Sequence, residues 1–379
     1  MNVAIFGPRY SPNYDGVGDH AAWIADALID AGHDVVVVTE SLAARPRCEV
    51  VRIGRWDLRA LGTIAAALRG RRIDVALFEY TPFNFGSRTF TPHALAIALR
   101  LRGTRVATFL HEAFYRPRGT NPMPPLKALA LGVRDAVMTA ASHAVFAASP
   151  ERADAIVAAV PFFRSRVHVI PIGANVEPAP REIWTPPPGP PYRLVTFGVV
   201  AARRRIDLIV EMIARAAQRG IRIELTVLGR IYDRAYAERC ETRARDLAVA
   251  DRVRFTRELP PAEVTRTMSD AHLAVHALYE GAISSSGSLL AVLAHGIPLL
   301  AVRTPRDERI FESLAVFTSE DPDAMLDDAL ALIASSDGGA ALGRRARARY
   351  ESDFAWRSIA ERSIAAAFVP MREVAHARG

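Results

Sequence analysis

Cysteine is scarce in this chain. Only Cys48 and Cys240 occur among 379 residues, far apart and outside any CxxC spacing. That rules against a disulfide framework and fits a reducing cytoplasm. No run of about 18 apolar residues is present, so no membrane-spanning helix is expected. The opening MNVAIFGPRY lacks the basic start and longer apolar stretch of a signal peptide, which again points to the cytoplasm. Histidines are scattered without HxxxH or HExxH spacing, and no metal site is expected. Lysine is reduced to Lys127, so arginine carries the positive charge. The net charge of +7 is spread along the chain, with no zinc-finger, RNP or basic-zipper pattern. Nucleic acid is therefore not expected as a partner, whereas phosphorylated small molecules and anionic membrane surfaces fit.

What is present is a rhythm. Half of the residues are hydrophobic, and the length suits two domains. The apolar strand 3–7 leads to a helical pattern at 21–31, and then to DVVVVT at 34–39, a β-branched run suited to burial on both faces. The alternation continues to about residue 170 and predicts a parallel sheet with helices on both sides. Residues 178–192, PAPREIWTPPPGPPY, contain seven prolines and read as a semi-rigid linker. The same rhythm restarts at Arg193. The reading is thus an α/β protein of two Rossmann-like, doubly wound domains. Residues 1–177 form the first, 178–192 the linker, 193–355 the second, and 356–379 a C-terminal helix. Such domains bind ligands in the crevice at the carboxyl ends of their strands, which places the expected site in a cleft between the two.

Four stretches carry chemistry. Gly16, Val17, Gly18 and Asp19 lie in the first strand-to-helix loop, where glycines let the backbone approach a ligand and Asp19 can cap the helix. A plain glycine turn is the competing reading. His111 and Glu112 end a strand, where His111 can act on a hydroxyl or donate to developing charge; a loop histidine held by hydrogen bonds is the bland alternative. Glu79, Tyr80 and Asn84 give a weaker signal of the same kind. Arg203, Arg204 and Arg205 stand where a phosphate would meet a helix N-terminus, against the alternative of a solvated basic turn. Glu280 is expected to end the strand 272–279, where a carboxylate can bind two neighbouring sugar hydroxyls. The loop after it supplies Ser284, Ser285, Ser286, Gly287 and Ser288, a nest suited to a diphosphate.

Those stretches resemble the GT-B glycosyltransferases, in particular the family-4-like retaining enzymes that use nucleotide-sugar donors. GVGDHAAWIADALIDAGHDVVVVT is similar to the family's glycine loop, first helix and second strand. VIPIGANVEP is similar to its exit from the first domain. FGVVAARRRIDLIVEMI and LAVHALYEGAISSSGSLLAVLAHGIPLLAV are similar to its two donor elements. The resemblance spans essentially the whole chain. It implies a metal-independent transferase with no cofactor beyond its nucleotide-sugar co-substrate. The acceptor would be a carbohydrate, a lipid-linked sugar or a small molecule, as in bacterial polysaccharide biosynthesis, with peripheral contact at the inner face of the membrane.

By position, the resemblance places Arg204 at the family's phosphate-contacting lysine and Glu280 at the first glutamate of its EX7E motif. Gly16 and Gly18 fall in the loop near diphosphate and acceptor, and His111 near the reaction centre. It also implies a C-terminal helix that crosses back to the first domain. Two positions depart from the pattern. Val199 stands where the family has a phosphate-binding arginine, and Ala291 stands at its second glutamate. Those departures favour one rival, a catalytically silent GT-B protein that binds a nucleotide or a partner as a scaffold; a second rival is a GT-B epimerase or phosphorylase. A phosphorylase of this fold holds pyridoxal on a lysine of the second half, which this chain lacks.

Overall fold

The structure is a computed structural model. It describes residues 1–10, 16–41, 46–82, 84–86, 89–112, 114, 124–176, 178, 184–335 and 337–369. The chain forms two compact units. Unit 1 comprises Met1–Ile172 and Trp356–Gly379, and unit 2 comprises Gly173–Ala355.

Unit 1 runs β1 (Asn2–Phe6), α1 (Gly16–Asp30), β2 (Asp34–Thr39), β3 (Glu49–Arg52), α2 (Leu58–Ala67), β4 (Val75–Tyr80), α3 (Thr91–Leu101) and β5 (Arg105–Leu110). It continues with α4 (Pro125–Ala141), β6 (Ala144–Ala147), α5 (Pro150–Ala159) and β7 (Val167–Val169). Among the described residues its seven strands are parallel, in the order β3-β2-β1-β4-β5-β6-β7. Side chains alternate across the sheet with the period of two that strands impose. Val3, Ile5, Val35, Val37 and Leu77 pack under α1 on one face, while Ala4, Phe6, Val36, Val38 and Phe78 pack under the helices of the other.

Unit 2 runs β8 (Tyr192–Phe197), α6 (Ile206–Gln218), β9 (Ile223–Leu228), α7 (Arg234–Asp246), β10 (Val253–Phe255), α8 (Pro261–Ser269) and β11 (Leu273–His276). It continues with α9 (Gly287–Ala294), β12 (Leu299–Val302), β13 (Val316–Thr318), α10 (Pro322–Ala334) and α11 (Gly338–Arg349). Its six parallel strands follow the order β10-β9-β8-β11-β12-β13. The last helix, α12 (Trp356–Ala367), belongs to unit 1. Its Ile359 and Ile364 join the cluster of Ala21, Ile24 and Leu28 from α1, burial that stabilises by roughly 1.5–3 kcal/mol per side chain.

Several local expectations need correction. The first helix begins at Gly16, so Asp19 sits inside its first turn and is not the cap; an acid there still faces the positive helix end. Strand β11 stops at His276, and Glu280 lies four residues beyond it, because Gly281 with φ +80° turns the chain. Helix α9 starts inside the stretch read as a loop, at Gly287 rather than at the expected 289–295, with Ser286 as its N-cap accepting from the Leu289 N–H at 3.4 Å. Strand β13 was not expected from the sequence, whereas helix α11 falls in a tail read as helical. The proline-rich segment travels with unit 2: Trp184 is buried, donates its indole N–H to the His272 carbonyl at 3.0 Å, and lies against Gly339.

Candidate active site

In unit 2 the site begins at the carboxyl end of β8. Gly198 has φ +129°, and a Cβ there would stand 2.0 Å from Arg204 Nη2, so only glycine fits beneath that guanidinium. Arg204 donates to the Phe197 carbonyl at 2.7 Å, to the Val199 carbonyl at 3.2 Å and to Ser288 Oγ at 2.8 Å. Burial, with Arg203 nearby, lowers its pKa to about 10 against the pull of Glu280, so it remains a cation at neutral pH. Ser288 is the second residue of α9, whose first N–H groups have no intrahelical partner. A fixed positive charge is therefore bolted to a helix N-terminus, and both favour an anion at the same place.

Glu280 is drawn to this point by its backbone. The Tyr279 N–H donates to the Arg203 carbonyl at 3.0 Å, and Arg203 Nη1 lies 3.4 Å from Glu280 Oε1. Glu280 Oε2 is buried, and no described residue donates to it. The turn that follows is clamped. His276 Nε2 donates to the Gly281 carbonyl at 3.2 Å, and burial together with Arg204 holds this imidazole down at about 4, hence neutral. Asp307 accepts from the Ala282 N–H at 2.8 Å and from the Thr304 N–H at 2.8 Å.

Of the expected donor set, the fold gathers Arg203, Arg204, Glu280, Ser286, Gly287 and Ser288. Ser284 is buried and Ser285 half-buried in the approach turn, and no hydrogen bond among the described residues ties either side chain to Arg204. Val199 contributes a carbonyl to Arg204. Ala291 is wholly buried in α9, where a carboxylate could not reach a ligand without leaving the packed interior.

Unit 1 presents a second cluster at the carboxyl ends of β4 and β5. Glu79 is fully buried, and its Oε2 accepts from His111 Nε2 at 2.5 Å and stands 2.9 Å from His20 Nδ1. Burial alone would raise the Glu79 carboxyl, but His20 and His111 outweigh it and hold it at about 2. Burial in turn outweighs Glu79 at His111 and keeps that ring below the usual imidazole value. A neutral His111 whose Nε2–H donates a hydrogen bond to Glu79 carries its lone pair on Nδ1, an acceptor for a hydroxyl proton.

Trp356, the first residue of α12, stacks edge-on against His20 with ring centroids 5.1 Å apart, so the returning helix helps to seat the cluster. Gly16, Val17, Gly18 and Asp19 form the turn of α1 just before His20, and Glu112 is exposed. His20 was not legible as a functional residue, because its partners lie 59 and 91 positions away. Linear spacing also hid that His20, Glu79 and His111 form a group of metal-ligand type, with ligand atoms within 4.8 Å of one another. Here those atoms face each other, as an acid between two imidazoles.

Two all-parallel Rossmann-like units, one with an anion-attracting helix start, constitute the GT-B architecture. The Glycosyltransferase Family 4 model matches residues 14–178, and the Glycosyl transferases group 1 model matches residues 191–335. The chain belongs to the GT-B glycosyltransferases of group 1 and is an enzyme that transfers glycosyl groups. Among solved structures it is similar to a glycosyltransferase from Rickettsia africae, with a TM-score of 0.71, 10% identity and 97% of each chain covered. It is similar to HepE from Anabaena in complex with UDP and glucose, with a TM-score of 0.66, 14% identity, and 96% and 98% of the two chains covered. WaaG, a glycosyltransferase of lipopolysaccharide biosynthesis, gives a TM-score of 0.62 and 16% identity, with 97% and 100% covered. No curated protein matches the sequence.

Proposed function

We propose that the enzyme moves a sugar from a nucleotide-diphosphate sugar held by unit 2 to an acceptor hydroxyl held by unit 1, with retention at the anomeric carbon. One observation carries this reading: a buried, unpartnered carboxylate oxygen of Glu280 stands beside Arg203, next to the Arg204-braced start of α9. The diphosphate lies at Gly287 and Ser288, and Glu280 accepts from sugar hydroxyls. As the glycosidic bond breaks, negative charge grows on the diphosphate. Arg203, Arg204 and the helix N-terminus stabilise it, which makes a divalent cation unnecessary. Nδ1 of His111 accepts from the acceptor hydroxyl. That acceptor is a glycan, a lipid-linked sugar or a small molecule, met in the cytoplasm or at its membrane face.

Donors carrying UDP are the first to test, since HepE structures contain UDP and UDP-glucose. Purified protein is incubated with a panel of nucleotide sugars and acceptors, with and without EDTA. Glu280→Gln keeps shape and loses the charge, and is expected to lower kcat by about 10²–10³-fold with binding of the bare nucleotide kept. Unchanged turnover in that variant removes Glu280 from the mechanism. Nucleotide binding without transfer in the wild type favours the silent binding protein, and loss of transfer in EDTA overturns metal independence.

A further inference from the structure

Two neighbouring helices of unit 1 turn apolar residues outward. Helices α3 and α4 lie over one face of the sheet, where Leu95 and Leu99 of α3 and Met138 and Ala141 of α4 enter the same core cluster. They run side by side. His93 of α3 donates to the Arg134 carbonyl of α4 at 3.1 Å, and Arg100 of α3 donates to the Ala141 and Ser142 carbonyls at 3.2 and 3.0 Å. Their outward sides therefore form one surface.

A surface helix normally shows its polar side to water. Helix α4 instead buries Arg134 and Asp135 and exposes Leu126, Leu129 and Val133, the first at 79%. Every exposed residue of α3 is apolar, with Ile97 and Leu101 the largest, and Phe90 stands exposed at its start. A contiguous apolar surface of this kind marks an interaction site.

The charges around it have one sign. Lys127 is the single exposed charged residue of the two helices, and Asp135, their single acid, is buried. Arg102, just after α3, is exposed, and Arg100 and Arg166 both donate to the Ser142 carbonyl at the end of α4. Arg105 joins those two beside His143, whose ring is held at about 4 by burial first and then by the three guanidinium groups. Docking against a second copy would bring cations to cations, with no exposed acid of either helix to answer them. A partner protein would also meet polar side chains at the rim of its contact, whereas Lys127 is the one hydrogen-bonding side chain exposed on these helices. Hydrocarbon requires none.

We propose that the outward face of α3 and α4 seats unit 1 on an anionic lipid surface, with Leu101, Leu126 and Leu129 entering the headgroup–acyl boundary and Lys127 and Arg102 on lipid phosphates. This deepens the reading of the acceptor as lipid-linked, and rests on it only for the purpose that docking serves: it brings the acceptor-binding unit to the membrane that holds such an acceptor.

Co-sedimentation of the full chain with vesicles tests the proposal. Vesicles of phosphatidylcholine alone are compared with vesicles that also contain phosphatidylglycerol, at low and at high salt. The wild type is expected to bind the phosphatidylglycerol vesicles at low salt and to lose most of that binding at high salt. Leu126→Ser with Leu129→Ser is expected to lower the partition by about tenfold or more. Arg102→Gln is expected to lower it by about fivefold. The Tm should be kept in both, because all three side chains are exposed. Should the leucine pair prove unstable, Leu101→Ser carries the comparison. No binding at low salt, equal binding to phosphatidylcholine alone, or full binding by the leucine variant overturns the proposal. A wild-type dimer in analytical ultracentrifugation that the leucine variant dissolves, with no vesicle binding, assigns the face to a second copy and overturns it too. Vesicle binding needs neither donor nor acceptor, so its failure leaves sugar transfer standing, and failure of transfer leaves vesicle binding measurable.

Discussion

Arg134 of unit 1 and Arg204 of unit 2 are both buried, at 3% and 8% exposure, yet their charges are met in opposite ways. Arg204 spends its donors on Phe197, Val199 and Ser288. Arg134 makes no comparable set of bonds, lying instead beside the Tyr80 hydroxyl and over the Phe90 ring. The difference teaches that burial alone does not identify a binding arginine. Arg204 is part of the scaffold that aims α9.

Stability gives the widest separation of the two. Arg204→Met strands two carbonyls and a serine hydroxyl, at about 1–3 kcal/mol each for those that stay dry, so a loss of about 2–5 kcal/mol is expected in urea unfolding. Arg134→Met removes a buried charge and strands no more than the Tyr80 hydroxyl, and unliganded stability is expected to hold or rise by up to about 2 kcal/mol. A destabilisation by Arg134→Met as large as that by Arg204→Met would erase the contrast. The same reasoning warns that lost activity in Arg204 variants reports on the scaffold as well as on phosphate contact.

The two faces of the unit 1 sheet differ in a second way, through their acids. Glu79 has a folded value near 2, below its unfolded one, so its stabilisation is full above about pH 4.5 and drains as pH falls toward 2. Asp135 has a folded value near 7, above its unfolded one, so its contribution is full below about pH 4 and is lost as pH rises through 7. Stability measured from pH 3 to 8 should therefore lose its acid limb in Glu79→Gln and flatten between pH 4 and 7 in Asp135→Asn. Parallel curves for wild type and Glu79→Gln below pH 4.5 would show that the two histidines do not stabilise the Glu79 anion.

Much of this was legible in the sequence, and the remainder was hidden for physical reasons. DVVVVT and its counterparts announced parallel strands because burial on both faces demands uninterrupted apolar residues. Arg203 and Arg204, and separately Glu280 and Ser288, could be named because each pair sits in one short stretch between a strand end and a helix start; that the two stretches meet is a result of the fold. His20 and Glu79 were faint because the sheet order, with β4 beside β1, is what unites them. Arg134 and Asp135 gave no signal of their own in the sequence, and the fold buries them. Glu280 was placed on a strand because the apolar run continues to Tyr279, whereas hydrogen-bonded pairing ends at His276.

Arg203 supplies the smallest effect on folding and the sharpest test of the donor site. It is 54% exposed, and its 3.4 Å contact with Glu280 is a surface pair of the kind worth about 0–1 kcal/mol before screening. Arg203→Met should leave stability within about 0.5 kcal/mol of wild type, unlike either buried arginine. Its guanidinium is nonetheless the one exposed member of the set that can close on a diphosphate without breaking a bond to the scaffold. The KM for the nucleotide sugar should therefore rise, and the wild type should lose donor affinity with added salt more steeply than the variant does. If Arg203→Met binds donor as the wild type does at low and high salt, the diphosphate is held by Arg204 and the helix start alone.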